Sequence, residues 1–275
     1  MTGRKYDDPG RIQMLVSRDN QRIKHIRQLL NNKKKRKAEG LFVIEGIKPV
    51  TEAFKEGLAE DIYVSEDYEG ETPDGSFIVG AGLFKEITDT VTPQGILAVV
   101  RVPVFDKDLI YGKEKCRLIC LEDVRDPGNV GTIIRTAEAA GFDAVVLSAG
   151  CADVYQPKVV RSTMGSILRV PCFVCRDESK DDQDLYGRQG FSYEMTVLKQ
   201  HGFDIYAAHL AGAVDYREIR YPQKMAILIG NEANGLTDAS LQCSDAAVKI
   251  PMHGRVESLN ASIAAAILMF SDSRE

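Results

Sequence analysis

Hydrophobic positions along the chain follow two periods. Ile23, Ile26, Leu29 and Leu30 recur at helical spacing behind Ser17, which offers a helix start, and the other face carries Arg22, Lys24, His25 and Arg27. Apolar, β-prone runs follow at 41–44, 62–64, 77–79 and 96–102, with helical patterns at 47–54 and 83–87 between them. Residues 103–115 open with a proline, are charged and carry no strong pattern, so a domain boundary falls there and gives domains 1–107 and 108–275. The pattern then restarts. Strands are predicted at 118–121, 144–147, 167–174, 205–208, 226–229 and 248–250, and helices at 129–140 and 258–270. The acidic stretch 177–190 reads as an exposed loop. Strands alternating with helices predict an α/β fold whose sheet is mostly parallel and covered on both faces.

Composition narrows the class. No apolar run approaches the ~20 residues that span a bilayer. The first residues are charged without an apolar segment behind them, so no secretory signal is expected and the location expected is cytoplasmic. Six cysteines are scattered, and the lone Cys-x-x-Cys, Cys172 and Cys175, sits in an apolar run that reads as a buried strand rather than a redox or zinc site. The four histidines show no metal-ligand spacing, so no metal is expected. The net charge of −5 argues against a polyanionic partner, but its distribution argues for one: residues 1–40 carry +8, residues 41–107 carry −8 and the rest −5.

Three segments carry chemistry. In DPGNVGTIIRTAEAAG (126–141), a strand gives way to a helix with Asn129 at the expected N-cap. Gly128, Gly131, Thr132 and Arg135 recur on one side, where a glycine one turn before the arginine would leave room for a phosphate or ribose. The plain alternative is an ion pair from Arg135 to Glu138. In ILIGNEANGL (227–236), a strand enters a loop that is neither a dinucleotide fingerprint nor a P-loop, because Glu232 takes the second glycine's place and Leu236-Thr237 the Lys-Ser/Thr place. A carboxylate there would repel a pyrophosphate and tolerate a cation such as a sulfonium; the alternative is a turn before a helix capped at Thr237. In VKIPMHGRVESLNAS (248–262), a strand ends at Pro251 and a helix begins with Ser258 as its cap. All three lie at carboxyl ends of strands, where open α/β sheets bind ligands.

Together and in this order, the three segments resemble the SpoU-type (TrmH-like) branch of the SPOUT RNA methyltransferases, over residues 118–270. The first half, through FVIEG (42–46), more weakly resembles that family's L30e-like RNA substrate-binding domain. The resemblance implies a SPOUT-type parallel sheet with a C-terminal trefoil knot, preceded by the smaller L30e-like α/β domain. It implies S-adenosylmethionine as methyl donor, a ribose 2′-hydroxyl of RNA as acceptor, and a homodimer. Arg135 would be the leading catalytic residue, with Asn129, Glu232, Ser258 and Asn260 orienting it, the RNA and the donor. Gly230, Ile250, Leu259, Asn260, Met252 and Leu210 would form the cofactor site.

Arg22, Lys24, Arg27, Lys33, Lys34, Lys35, Arg36 and Lys37 are expected to meet RNA phosphates. Ribosomal RNA, 23S above all, is favoured over tRNA because a separate RNA-binding domain precedes the knot domain. The alternatives are a tRNA 2′-O-methyltransferase and a non-catalytic RNA-binding or ribosome-assembly protein on the same fold.

Overall fold

The computed structural model describes residues 14–176, 190–210 and 214–271; most of the predicted acidic loop, residues 177–189, lies outside them. Contacts divide the chain into two units, Met1–Val102 with Tyr155–Pro157, and Pro103–Val154 with Lys158–Glu275.

The first unit runs β1 (Met14–Leu15), α1 (Gln21–Asn31), α2 (Lys33–Glu39), β2 (Leu41–Glu45), α3 (Ile47–Lys55), β3 (Ala59–Ser65), β4 (Phe77–Val79), α4 (Ala81–Glu86) and β5 (Ile96–Arg101). Among its described residues, five strands lie in the order β1-β4-β3-β5-β2, with β5 antiparallel to both neighbours. Helix α1 buries Ile23, Ile26 and Leu29 in a core with Tyr63, Leu97 and Val99. Its cap is Asn20, whose side chain accepts from the Arg22 amide, and not Ser17. Asn32 then ends α1 and caps α2, so the basic run 33–37 forms a helix of its own, stopped by Gly40 at φ 64°.

The second unit runs α5 (Lys107–Tyr111), β6 (Cys116–Leu121), α6 (Pro127–Ala139), β7 (Ala144–Leu147), α7 (Pro157–Thr163), a 3₁₀ turn (Ser166–Leu168), β8 (Cys172–Val174), α8 (Phe191–Gln200), β9 (Asp204–Ala208), β10 (Val214–Asp215), β11 (Lys224–Ile229), α9 (Asp238–Cys243), β12 (Ala246–Lys249) and α10 (Ala261–Ser271). Among the described residues, seven parallel strands lie in the order β10-β12-β9-β11-β6-β7-β8. Residues 118–121 and 144–147 are buried throughout, as expected of central strands covered on both faces. From β6 the chain moves outward through β7 and β8, then returns to the other side of β6 for β9, β11 and β12. The strand order therefore reverses between β6 and β11, whose ends pair in register at Leu121 and Ile229.

Four expectations are corrected. Helix α6 starts at Pro127, capped by Asp126, whose side chain accepts from the Asn129 amide at 2.8 Å; proline at the first helical position forgoes no bond. The strand expected at 167–174 shrinks to β8, because a 3₁₀ turn and Pro171 precede it. The patternless stretch 103–115 contains α5, capped by Asp106. Helix α10 is capped by Asn260 and not by Ser258. Among the described residues, no helix is long and apolar enough to cross a membrane.

Candidate active site

Three connections leave the carboxyl ends of β6, β11 and β12 and converge. The β11–α9 loop doubles back at Gly230, where an added Cβ would lie 2.3 Å from the backbone carbon of Gly235; only glycine fits so close an approach. Asn231 and Gly235 exchange backbone hydrogen bonds of 3.0 and 2.9 Å. Asn231 Nδ2 donates to the Asp123 carbonyl at 2.7 Å, which ties the loop to the end of β6. The second tie is Glu122. Its buried carboxylate accepts from the Thr237 amide (2.9 Å), the Thr237 hydroxyl (2.8 Å) and the Ser240 hydroxyl (2.7 Å). Burying a carboxylate is tolerable when its lone pairs meet donors in this way, and Thr237 caps α9, so Glu122 fixes where that helix begins.

Glu232, Asn129 and Asn260 join the three connections in a chain of hydrogen bonds. Asn129 Nδ2 donates to Glu232 Oε1 at 2.9 Å, and Asn260 Nδ2 donates to Asn129 Oδ1 at 2.9 Å. Asn260 Oδ1 accepts from the amides of Ser262 (2.9 Å) and Ile263 (3.3 Å), capping α10. An ionised carboxylate only accepts and a backbone amide only donates, so the two ends of the chain fix the orientation of both asparagine side chains. Burial opposes the charge on Glu232. Hydrogen bonds from Asn129 and from backbone amides, those of Arg125 and Asp126 among them, outweigh it and hold the carboxyl below its usual range.

Beside this chain, a cavity of about 370 Å³ opens at the carboxyl ends of β9, β11 and β12. Cofactor sites span roughly 300–1,000 Å³. Gly230, Ile250, Leu259, Met252 and Leu210, the residues that the resemblance assigns to a cofactor, line it. Asn260 does not line it and reaches the site through Asn129. Glu232 and Ser258 also line it, with Glu257 and His209, which sequence reasoning missed. Ile229, Val248, Ala261 and Ala264 complete an apolar wall, and among the described residues no lysine or arginine lines the cavity. Such a lining suits an apolar ring system with a positive charge, and not a phosphate.

Arg135 is not drawn into the network. It stands exposed on α6, six residues beyond Asn129, and its guanidinium makes no hydrogen bond or ion pair with the described residues. The alternative ion pair with Glu138 does not form, because the Arg169 guanidinium and the Ser166 hydroxyl occupy that carboxylate and hold it below its usual range. Nor does Gly131 open space beside Arg135. A Cβ there would lie 2.4 Å from Ser162 Cβ and 2.7 Å from the Val159 carbonyl oxygen, so this glycine admits α7.

The eight basic residues of the first unit divide. Arg22 pairs with Asp61 at 2.7 Å and lies over the Phe77 ring, Arg27 pairs with Glu86 at 2.7 Å, Lys24 with Asp19 at 2.9 Å and Lys35 with Glu39 at 2.6 Å. Arg36 is a correction: it is buried, and its Nη1 donates to the carbonyls of Leu29 and Leu30, which the end of α1 leaves without helical partners. Lys33, Lys34 and Lys37 are exposed on α2 and make no ion pair with the described residues.

Glu122 carried a sequence signal that went unread: a carboxylate directly after an apolar strand at its carboxyl end. Burial pushes the Cys116 thiol up to about 12 and the Cys151 thiol up to about 11, as packing residues and not nucleophiles. Among the described residues, no group of three His, Cys, Asp or Glu could hold a metal ion.

Residues 117–270 match the SpoU rRNA Methylase family, and residues 20–98 match the MRM3-like substrate binding domain. The 23S rRNA (guanosine(2553)-2'-O)-methyltransferase RlmP of Bacillus subtilis (strain 168) is 33% identical over 264 residues, which cover 94% of this chain and 98% of that protein. The 23S rRNA (uridine(2479)-2'-O)-methyltransferase of Streptomyces viridochromogenes is 27% identical, covering 94% and 92%. The solved structure of an AdoMet-bound rRNA methyltransferase from Sinorhizobium meliloti superposes with a TM-score of 0.79 at 29% identity, covering 94% of this chain and 97% of that one.

Proposed function

The chain belongs to the SpoU rRNA methylase family, and on that premise we propose that it methylates a ribose 2′-hydroxyl of 23S ribosomal RNA with S-adenosylmethionine as donor. The observation that carries the reading is the cavity, whose apolar wall fits an adenosine and whose carboxylates, with no lysine or arginine among the described lining residues, fit a sulfonium. When bound, the donor supplies a methyl group on positively charged sulfur, open to in-line attack by the ribose oxygen.

Backbone groups of Gly230, Ile250 and Leu259 would hold the adenosine part, with Leu210 and Met252 against it. The Glu232–Asn129–Asn260 chain locks the three loops in one arrangement, and positioning of this kind is most of what a direct methyl transfer needs. Ser258, on the cavity wall, offers a hydroxyl to the RNA or the donor. Arg135 acts by charge. A guanidinium keeps its proton, so it stabilises negative charge on the developing alkoxide or the neighbouring phosphate.

In this reading the first unit is the L30e-like substrate-binding domain, and Lys33, Lys34 and Lys37 are its phosphate contacts. The last segment forms a trefoil knot. What supports the knot is that the chain leaves β12 between β9 and β10, yet α10 packs on α6 and β11. The enzyme works as a homodimer, in which a second copy covers the apolar side of α10, where Ile263 and Phe270 are half exposed.

Transfer of label from the donor to separated large-subunit RNA, small-subunit RNA and tRNA tests the proposal. Label in the large-subunit fraction is expected. Label confined to tRNA would change the substrate, and none in any fraction, intact subunits included, would remove the activity.

A further inference from the structure

The following rests on reading the cavity as the S-adenosylmethionine site. Among the described residues, its wall carries two carboxylates, Glu232 and Glu257, and one other titratable group, His209. The carboxylates differ in engagement. Glu232 is taken up by Asn129 and by the amides of Arg125 and Asp126. Glu257, on the loop between β12 and α10, is exposed and makes no hydrogen bond or ion pair with the described residues. His253 and Arg255 share that loop, but neither lines the cavity or pairs with Glu257.

We propose that Glu257 is a charge-selecting residue of this cavity, its carboxylate favouring the sulfonium donor over the neutral thioether product. In the transfer, the carbon–sulfur bond breaks with its electron pair left on sulfur, a carbon–oxygen bond forms, and the hydroxyl proton passes to water. Donor and product thus differ by one methyl group and one positive charge. A cavity wall with a free carboxylate and, among the described residues, no lysine or arginine distinguishes the two by Coulomb attraction. Glu257 holds the donor and lets the spent product go. Because Glu257 is exposed, water screens it and the preference is moderate.

Calorimetric titration of the full-length protein and of Glu257→Gln tests this with three ligands. They are S-adenosylmethionine, S-adenosylhomocysteine, and sinefungin, which carries an amine where the donor carries its sulfonium. The substitution is expected to weaken both charged ligands two- to fivefold and leave S-adenosylhomocysteine within about 1.5-fold. Glu257→Asp is expected to recover part of the loss, and 0.5 M salt to narrow the gap between wild type and Glu257→Gln. Equal weakening of all three ligands, or no weakening of any, overturns the proposal. A folded wild-type protein that binds none of the three overturns the cofactor reading itself, and this proposal with it.

Discussion

Asn129 accepts from one motif and donates to another, and so makes three distant segments one site. Its partners lie 103 and 131 residues away in the chain. The motifs point to all three residues of this chain, but not to the contacts, since spacing carries no information on pairing at such separations. The same holds for Gly131, whose packing role depends on an α7 the hydrophobic pattern does not reveal. Two predictions belong at this scale. Arg135→Ala is expected to lower methyl transfer by about 10²–10³-fold, the usual cost of one charge-stabilising donor, and to leave donor binding within twofold. Full turnover in that variant would remove Arg135 from the chemistry. Glu232 titrates lower in the folded protein than its ordinary value of 4.5. Its charge therefore adds stability that is complete above that value and fades as pH falls through the folded one. In urea unfolding, the gap between wild type and Glu232→Gln is expected to shrink from pH 6 to pH 3; an unchanged gap would show that the carboxylate is not what holds the three loops.

Among the elements, the central strands were legible because each carries an unbroken apolar run, and α1 because its buried face keeps helical spacing. The two-residue strands β1 and β10 are too short to leave a pattern, and α5 was hidden by its charge. That helix anchors the start of the second unit. Lys107 Nζ donates to both oxygens of Glu194, at 3.1 and 3.0 Å, and the Tyr111 hydroxyl donates to it at 2.8 Å. The Glu194 side chain is 4% exposed and that of Lys107 36%. Removing the lysine strands a buried carboxylate, whereas removing the carboxylate frees a lysine that water can reach. Lys107→Ala should therefore cost about 3 kcal/mol and Glu194→Gln nearer ~1 kcal/mol, measured by denaturant unfolding; the reverse order would contradict this account of the pair. In α2, sequence could not separate Arg36 from its lysine neighbours, because which side of that turn faces the core is set by tertiary packing. Replacing Lys33, Lys34 and Lys37 together by glutamine is expected to weaken RNA binding and flatten its dependence on log salt by about two units. Arg36→Gln should instead destabilise the first unit. An unchanged salt slope in the triple variant would place the RNA elsewhere.

For the whole molecule, the alternation of strands and helices predicted the class of fold, and three loop motifs predicted the chemistry at its carboxyl edge. What neither carried is the balance of charge in space. A net charge of −5 conceals a first segment at +8, a helix surface with three lysines that make no ion pair with the described residues, and a cavity wall bearing carboxylates and, among the described residues, no lysine or arginine. These fit the two substrates of one reaction, a polyanion and a small cation. The measurement that tests this most directly is alkaline hydrolysis of large-subunit RNA labelled by the enzyme from tritiated S-adenosylmethionine. Hydroxide cleaves RNA through the 2′-hydroxyl, so a methyl group there protects the adjoining bond. The account predicts that the tritium is recovered in an alkali-stable dinucleotide. Tritium recovered in mononucleotides would put the methyl group on a base and contradict it.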